Sequence, residues 1–207
     1  MQQVQHWSVV VPAKRLALAK TRLGPVVDRA EHEDLVLAML GDTLAAAALA
    51  REVGSLWVVT ADPRAAALAT QLGARVVPDE PAGGLNAALV QGAAATGARF
   101  VAVLNSDLPA LQADELDQAL RAAAGVPRSF VADAEGTGTT LLAVTGGDLA
   151  PAFGPGSAAA HAVSGAVALA GDWPGLRRDV DTAEHLAAAR ALGAGPRTRA
   201  VAHEACA

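Results

Sequence analysis

Short apolar runs alternate along the first half of the chain with segments whose apolar residues recur at helical spacing. The runs are bounded by polar residues, Gly or Pro, which is typical of buried strands. They predict strands at residues 7–11, 56–60, 75–77 and 100–104. The periodic segments predict helices at residues 31–51, 63–72, 85–95 and 113–124.

The pattern changes in the second half. Residues 129–132 and 139–144 read as two strands joined by a loop, and weaker strand signals lie at 166–170 and 176–180. Helices are predicted at residues 158–164 and 182–192. Strands that alternate with helices imply right-handed crossovers and a mainly parallel sheet, to which the hairpin adds antiparallel pairs. We therefore predict one α/β domain over residues 1–207, with a Rossmann-like mixed, mainly parallel central sheet flanked by helices.

Composition narrows the possible classes of protein. The chain has 207 residues, of which 52% are hydrophobic and 18% charged, so it can bury a large core. Its net charge of −5 argues against a nucleic-acid-binding domain. No long apolar stretch or signal-peptide pattern predicts a membrane partner. The single cysteine, Cys206, excludes a disulfide framework and suits a reducing, cytoplasmic location.

The basic residues are unevenly distributed. Of the 16 basic residues only two are lysines, Lys14 and Lys20, and both follow the first strand. Together with Arg15 and Arg22 they make four cations in nine residues. Such a cluster after a strand can hold a triphosphate and neutralise charge during group transfer, although a solvated basic loop would look the same. The segment has no Walker-type pattern.

Two acidic segments are candidate metal sites. Asp107 follows the predicted strand 100–104, where a carboxylate points into the ligand crevice and can hold Mg²⁺; it can also be a helix cap or turn residue. Asp179 and Asp181 are two residues apart and face one side of an extended segment. Asp179 suits a second metal carboxylate if this segment lies beside Asp107, and Asp181 suits a helix cap better.

Three further segments carry groups that suit an anionic or nucleoside ligand. Residues 136–140 combine two glycines with hydroxyls that can donate to phosphate, or they form a hairpin turn. Gly154 and Ser157 precede a predicted helix and suit an anion seat, or Ser157 is its N-cap. The loop that contains Asp79 and Asn86 can wrap a base or ribose, or it is a surface loop.

The five histidines show neither metal-ligand spacing nor a nucleophile–base pattern. His161 follows the Ser157 segment and can contact a ligand there, but a surface or core position is the more common role of such a residue.

The ordered set of motifs resembles the guanylyltransferases that activate 2-phospho-L-lactate or phosphoenolpyruvate in the biosynthesis of coenzyme F-420. The resemblance extends from about Val9 to His203. It rests on segments that occur in one order, namely residues 14–23, 85–88, 106–111, 129–133, 136–139, 153–155, 164–167 and 173–182. The wider superfamily has the nucleotidyltransferase α/β fold of molybdenum-cofactor guanylyltransferases and sugar nucleotidyltransferases.

The resemblance implies a reaction in which the phosphate of the acceptor attacks the α-phosphate of GTP and pyrophosphate leaves. It implies catalytic roles for Lys14, Lys20 and Asp107, acceptor binding by Lys20, Thr139, Gly154 and Ser157, GTP binding by Lys14, Arg22, Asp79 and Asn86, and Mg²⁺ binding by Asp107 and Asp179. The chain is rich in Ala, Gly, Arg and Val and has only two lysines, which is typical of a GC-rich genome. This bias and the sequence of residues 14–23 resemble the actinobacterial-type members of the family, so phosphoenolpyruvate is favoured over 2-phospho-L-lactate. No residue of the sequence indicates how the double bond that distinguishes the two acids would be recognised.

Two alternatives remain. One is a nucleotidyltransferase of the same fold with a molybdopterin or sugar-phosphate acceptor, although the glycine-rich signature of the molybdopterin enzymes after the first strand is missing here. The other is a non-catalytic nucleotide-binding module, against which the presence of Lys20, Asp107 and Asp179 argues.

The role of Lys20 is testable. We expect Lys20→Arg to weaken acceptor binding, because a planar guanidinium fork does not replace a compact ammonium charge. The measurement is the KM of the acceptor, with Arg15→Lys as a charge-conserving control in the same segment. An unchanged KM would contradict the role of Lys20.

Overall fold

The protein is built on a seven-stranded sheet flanked by eight helices, seen in a computed structural model that describes residues 6–13, 29–79 and 83–204. The strands are β1 (Trp7–Ala13), β2 (Val53–Thr60), β3 (Arg75–Pro78), β4 (Val101–Leu104), β5 (Arg128–Ala132), β6 (Thr139–Val144) and β7 (Val167–Ala168). The helices are α1 (Arg29–Leu49), α2 (Pro63–Gln71), α3 (Leu85–Thr96), α4 (Ala113–Ala123), α5 (Ser157–Val163), α6 (Pro174–Arg177), α7 (Ala183–Leu192) and α8 (Pro196–Glu204).

The strands lie in the order β3-β2-β1-β4-β6-β5-β7. The β3-β2-β1-β4 block is parallel, β6 runs antiparallel to both of its neighbours, and β7 is parallel to β5. The carboxyl ends of β1 to β4 and the amino end of β6 therefore lie at the same edge of the sheet.

The core has two layers because successive strand side chains point to opposite faces. Val9 and Val11 of β1 belong to the cluster that packs against α1, α2 and α4, whereas Val10 belongs to the cluster under α3 and α5. Gly92 allows α3 to approach the sheet closely, since a Cβ at this position would collide with Val59 and Val10.

The predicted fold class is confirmed, and most predicted elements lie within three residues of their observed bounds. Strand β1 differs, since it continues through Pro12 to Ala13 instead of ending at the proline. Proline lacks the N–H that a central strand needs. It is accommodated because the pairing of β1 with β4 has ended at Val10, and Pro12 pairs with β2 alone.

Three predictions in the second half are wrong. Residues 176–180 are not a strand, because Pro174 begins the short helix α6. Thr182, not Asp181, is the N-cap of α7 and accepts a hydrogen bond from His185 N. Ser157 is the first residue of α5 instead of its N-cap, which is Gly156 in a left-handed conformation with φ 71°. Helix α8 was not predicted.

Asp42 of α1 fastens α8 to the body of the protein. Its carboxylate is buried and accepts hydrogen bonds from Arg197 N at 3.2 Å and Thr198 N at 2.8 Å. These donors lie in the first turn of α8, where backbone N–H groups lack partners within the helix. A Cβ on Gly195 would collide with this carboxylate, so the approach of the two segments requires glycine.

No helix in the described ranges is both long and apolar enough to cross a membrane.

We expect Asp42→Ala to lower the free energy of unfolding by about 1–3 kcal/mol, because two N–H groups of α8 lose their acceptor. Asp34→Ala is the matched control, since Asp34 forms a half-exposed ion pair with Arg64 and should change stability by less than about 1 kcal/mol. Urea unfolding of both variants measures the difference. Equal losses in the two variants would contradict the role of Asp42.

Candidate active site

Polar residues from several elements meet at the carboxyl edge of the parallel strands, where open α/β sheets bind ligands. Asn105 extends the pairing of β4 with β6 by donating its N–H to Thr140 O at 2.9 Å. This bond joins the segment that contains Asp107 to the start of β6, where Thr139 lies. Two of the residues predicted from different motifs are thus carried by neighbouring strands.

The backbone around Asp107 is fixed by Thr43 of α1. The Thr43 hydroxyl is fully buried and accepts a hydrogen bond from Leu108 N at 3.0 Å. Its proton points to Met39 O at 2.9 Å, with Ser106 O at 3.3 Å. The residues on both sides of Asp107 are therefore attached to one helix. Asp107 does not cap α4, whose N-cap is Gln112.

The segment that carries Asp179 lies directly beside Asp107. Val180 N donates a hydrogen bond to Asp107 O at 3.1 Å. The Val180 side chain is fully buried in a cluster with Met39 of α1 and Ala110 of the loop after β4. The segment of Asp179 therefore does lie beside Asp107, as the predicted role of Asp179 required. The buried side chain of Val180, between Asp179 and Asp181, holds it there.

Helix α6 holds the preceding part of this segment against α4. The Glu115 carboxylate accepts hydrogen bonds from Gly175 N at 2.9 Å and Leu176 N at 3.0 Å. These are first-turn donors of α6. Gly175 also permits close contact with the loop after β4, because a Cβ would collide with Ala110 O. The Trp173 indole is buried and donates to Gln118 at 3.3 Å.

Three carboxylates converge where this segment meets the turn between β5 and β6. Asp133, Glu135 and Asp179 each place an oxygen within 4.8 Å of the others. Oxygen donors of this kind suit hard divalent cations, so the group could hold a metal ion. Of the two predicted metal ligands, Asp179 belongs to this group and Asp107 does not. The backbone of Asp107 is nevertheless bonded to Val180, the residue that follows Asp179.

Asp133 and Glu135 of the acidic group interact with neighbouring backbone and side chains. The Asp133 carboxylate accepts hydrogen bonds from Thr137 N at 2.8 Å and Gly138 N at 2.7 Å, which shapes the predicted hairpin turn. Glu135 pairs with Arg178 at 2.6 Å. Partial burial acts to raise the pKa of Glu135, but its hydrogen bond and ion pair with Arg178 prevail, so its pKa lies below the ordinary value. Glu135 is therefore ionised at neutral pH.

Thr139 lies at the other side of the turn and contacts a buried histidine. Its Oγ1 is 2.9 Å from His161 Nδ1, and the Nε2 of the same ring accepts a hydrogen bond from Ala152 N at 2.9 Å. Burial, and to a lesser extent the charge of Arg128, lowers the pKa of His161. Of the alternatives for His161, the core position is the one observed.

The loop before α5 brings Gly154 and Ser157 to the same place. Asn86 of α3 accepts a hydrogen bond from Phe153 N at 2.9 Å and donates to Phe153 O at 3.1 Å. Ser157 is buried, while Gly154 is exposed and has φ 145°. Ala158 N donates to Thr137 O, which connects α5 to the β5–β6 turn. Thr139, Gly154 and Ser157 thus belong to one connected region.

Asp79 follows β3 and lies further along the same edge. Its backbone N–H donates to Thr60 O, at the end of β2, at 3.3 Å. Within the described ranges its Oδ1 atom is buried and has no hydrogen-bond partner. Asn86 is engaged with Phe153, as described above. The structure therefore gives Asn86 a role in fixing the loop of Gly154 and leaves an acceptor atom of Asp79 for a ligand.

The basic segment lies outside the described residues, and with it Lys14, Lys20 and Arg22. Residues 80–82, which belong to the predicted loop between Asp79 and Asn86, and Cys206 lie outside them as well. The predicted roles of these residues stay predictions.

Sequence reasoning missed Thr43 and Glu115. A threonine inside a helix and a glutamate near a helix start carry no local sign of a partner that is more than 60 positions away along the chain. His161 was noticed only for its position after Ser157.

Solved structures share the fold. A nucleotidyl transferase from Methanothermobacter superposes with a TM-score of 0.58 at 19% identity, over 90% of this chain and 97% of that one. A protein from Desulfovibrio desulfuricans described as a nucleotide-diphospho-sugar transferase gives a TM-score of 0.54 at 20% identity, over 67% of this chain and 62% of that one.

Curated relatives are much more similar in sequence. A protein of Geodermatophilus obscurus is 60% identical and aligns over 97% of this chain and 96% of its own. Relatives from Salinispora arenicola and Mycobacterium ulcerans are 54% and 50% identical, with 94% of this chain aligned in each case and 92% and 93% of theirs. All three are named phosphoenolpyruvate guanylyltransferase.

The profile of the family described as "Guanylyl transferase CofC like" matches residues 7–164. This range contains β1 to β6 and the loops that carry Asp79, Asp107, Thr139 and Gly154. The chain belongs to the CofC-like guanylyl transferase family.

Proposed function

We propose that the protein is a nucleotidyltransferase that transfers GMP from GTP to phosphoenolpyruvate and releases pyrophosphate, as a step of coenzyme F-420 biosynthesis. 2-Phospho-L-lactate is the alternative acceptor. In the reaction, a phosphate oxygen of the acceptor forms a bond to the α-phosphorus of GTP. The bond between that phosphorus and the bridging oxygen of the β-phosphate breaks, and the electron pair leaves with pyrophosphate.

One structural observation supports the proposal most directly. The hydrogen bond from Val180 N to Asp107 O joins two acidic segments, 73 residues apart (180 − 107), at the ligand-binding edge of the sheet. The residues predicted to bind the acceptor, Thr139 and Gly154, lie at the same edge. Catalysis of this reaction depends on positioning and charge neutralisation, and such an arrangement suits both. The names of the relatives at 50–60% identity support the same acceptor.

We assign the acceptor to the region of Thr139, Gly154 and Ser157. The Thr139 hydroxyl can donate a proton to a phosphate or carboxylate oxygen. Gly154 has open space where a Cβ would stand, so a ligand can approach its backbone closely. Lys20 would add a positive charge to this side of the site, as the family resemblance implies.

We assign a Mg²⁺ ion to Asp107 and Asp179. The fit rests on their neighbouring backbones and on the carboxylate oxygens grouped around Asp179. A bound Mg²⁺ ion would neutralise charge on the reacting phosphates. Of the other two carboxylates in this group, Glu135 forms an ion pair with Arg178 and Asp133 accepts hydrogen bonds within the turn, so both already interact with the protein.

We assign the nucleoside to the region of Asp79. An ionised carboxylate only accepts hydrogen bonds. The buried Oδ1 of Asp79 therefore suits the adjacent N1–H and N2–H groups of guanine better than adenine, whose N6–H group lies beside an N1 acceptor. Lys14 and Arg22 would hold the triphosphate. Asn86 binds the backbone of Phe153 and would therefore act on the acceptor side, by fixing the loop of Gly154.

The decisive experiment measures pyrophosphate release with Mg²⁺, GTP and either phosphoenolpyruvate or 2-phospho-L-lactate. We expect turnover with GTP and phosphoenolpyruvate, little with ATP, and none after EDTA until Mg²⁺ is restored. Turnover with 2-phospho-L-lactate alone would reassign the acceptor. Silence with both acids would refute the proposed function, and persistent activity in metal-free buffer would refute the role of the metal.

We expect Asp107→Asn to lower kcat by about a hundredfold or more, because it removes a preorganised charge from the site. The fold should survive, since the backbone bonds of this segment to Thr43 and Val180 do not involve the side chain. Asp114→Asn, in the exposed first turn of α4, is the control and should leave kcat unchanged. Near-normal turnover of Asp107→Asn would contradict the assignment.

A further inference from the structure

His161 is a fully buried polar side chain that lies behind the region assigned to the acceptor. Its ring packs against Phe153 in a T-shaped contact, with centroids 5.2 Å apart, and against Phe130 at 5.9 Å. Packing alone would be satisfied by another phenylalanine. The two hydrogen bonds of the ring therefore require a separate explanation.

The partners of the ring determine which nitrogen carries the proton. Ala152 N is a backbone amide and can only donate, so the Nε2 atom 2.9 Å away must present its lone pair. The neutral ring then carries its proton on Nδ1 and donates it to Thr139 Oγ1 at 2.9 Å. Burial lowers the pKa of His161, which favours this neutral form at neutral pH.

This tautomer orients the Thr139 hydroxyl. An oxygen that accepts the Nδ1 proton must direct its own proton elsewhere, and in the described part of the chain Thr139 Oγ1 has no other hydrogen-bond partner. The hydroxyl is thus held as a donor. The Nε2 bond meanwhile ties Ala152, two residues before Gly154, to the same ring.

We propose that His161 is a positioning residue for the acceptor: it fixes Thr139 as a hydrogen-bond donor to an anionic oxygen and holds the loop of Gly154 at a set distance from it. The inference rests on the proposed function for the identity of the acceptor. In this role His161 does not contact the acceptor itself but acts through Thr139 and Gly154, which do.

The test is a double-mutant cycle on phosphoenolpyruvate binding, measured by calorimetry without GTP. His161→Phe keeps the ring packing and removes both hydrogen bonds, so we expect the Kd to rise about tenfold, the change typical of one lost hydrogen bond to a charged ligand. Thr139→Val should have a similar effect. Because His161 acts through Thr139, the double variant should bind about as weakly as the weaker single variant. Independent, multiplying losses would overturn the inference.

Two further variants separate positioning from stability. His161→Gln keeps one donor and one acceptor and should recover part of the affinity. Asp117→Ala is the matched control, since Asp117 is equally buried and accepts a hydrogen bond from Glu52 N at 2.8 Å, away from the site. It should lower stability and leave the Kd unchanged. A Kd that His161→Phe also leaves unchanged would refute the positioning role.

A spectroscopic readout on the unmodified protein avoids the question of whether the variants fold. The ¹⁵N chemical shifts of the His161 ring should report a proton on Nδ1 and none on Nε2 at neutral pH. A proton on Nε2 would overturn the inference. Turnover by the unmodified protein tests the proposed function separately, so binding and tautomer can be as expected even if guanylyl transfer is not. If neither phosphoenolpyruvate nor inorganic phosphate binds, both fail.

Discussion

The site depends on a single contact between two distant segments, the packing of Val180 against the loop after β4. The valine side chain is buried among Met39 and Ala110, and its N–H donates to Asp107 O. The burial of a valine side chain contributes about 1.5–3 kcal/mol, which helps to fix the segment by apolar packing. Asp179 can therefore lie beside Asp107 although both carry negative charge.

Helix α1 contributes to the packing of Val180 against the loop after β4. Within little more than one turn, the helix contributes Met39 to the apolar cluster, Asp42 to the start of α8 and Thr43 to the backbone around Asp107. Buried polar groups of this kind are costly unless they are paired, and here each has a defined partner. The same helix thus connects the C-terminal part of the chain to the loop after the central strand.

The two sides of the site are built from different interactions. The acidic side is held by apolar packing, by the Glu115 cap of α6 and by the ion pair of Glu135 with Arg178. The opposite side is held by neutral hydrogen bonds, from His161 to Thr139 and from Asn86 to Phe153. Charge is therefore concentrated where a cation would bind, and neutral donors lie where an anionic acceptor would bind, which agrees with the proposed transfer reaction.

The fold class follows from the sequence alone, because strand and helix periodicities are local and the order of elements leaves few topologies. The sequence also placed Asp107 at the end of the central strand and identified the loops that meet at the ligand-binding edge. The strand prediction at residues 176–180 is wrong, because Pro174 begins a short helix. Its first-turn N–H groups donate to the Glu115 carboxylate, a distant partner that no local pattern shows.

The contacts between side chains, in contrast, depend on how distant elements pack. Thr43, Glu115 and His161 find their partners across the fold, with separations of 65, 61 and 22 positions, and no local pattern encodes such pairs. The spacing of Asp179 and Asp181 predicted a shared face, yet the fold fixed Asp179 through the valine between them. The periodicity of strands and helices depends on residues that are neighbours in sequence. The geometry of a site arises from contacts that form only when distant elements pack.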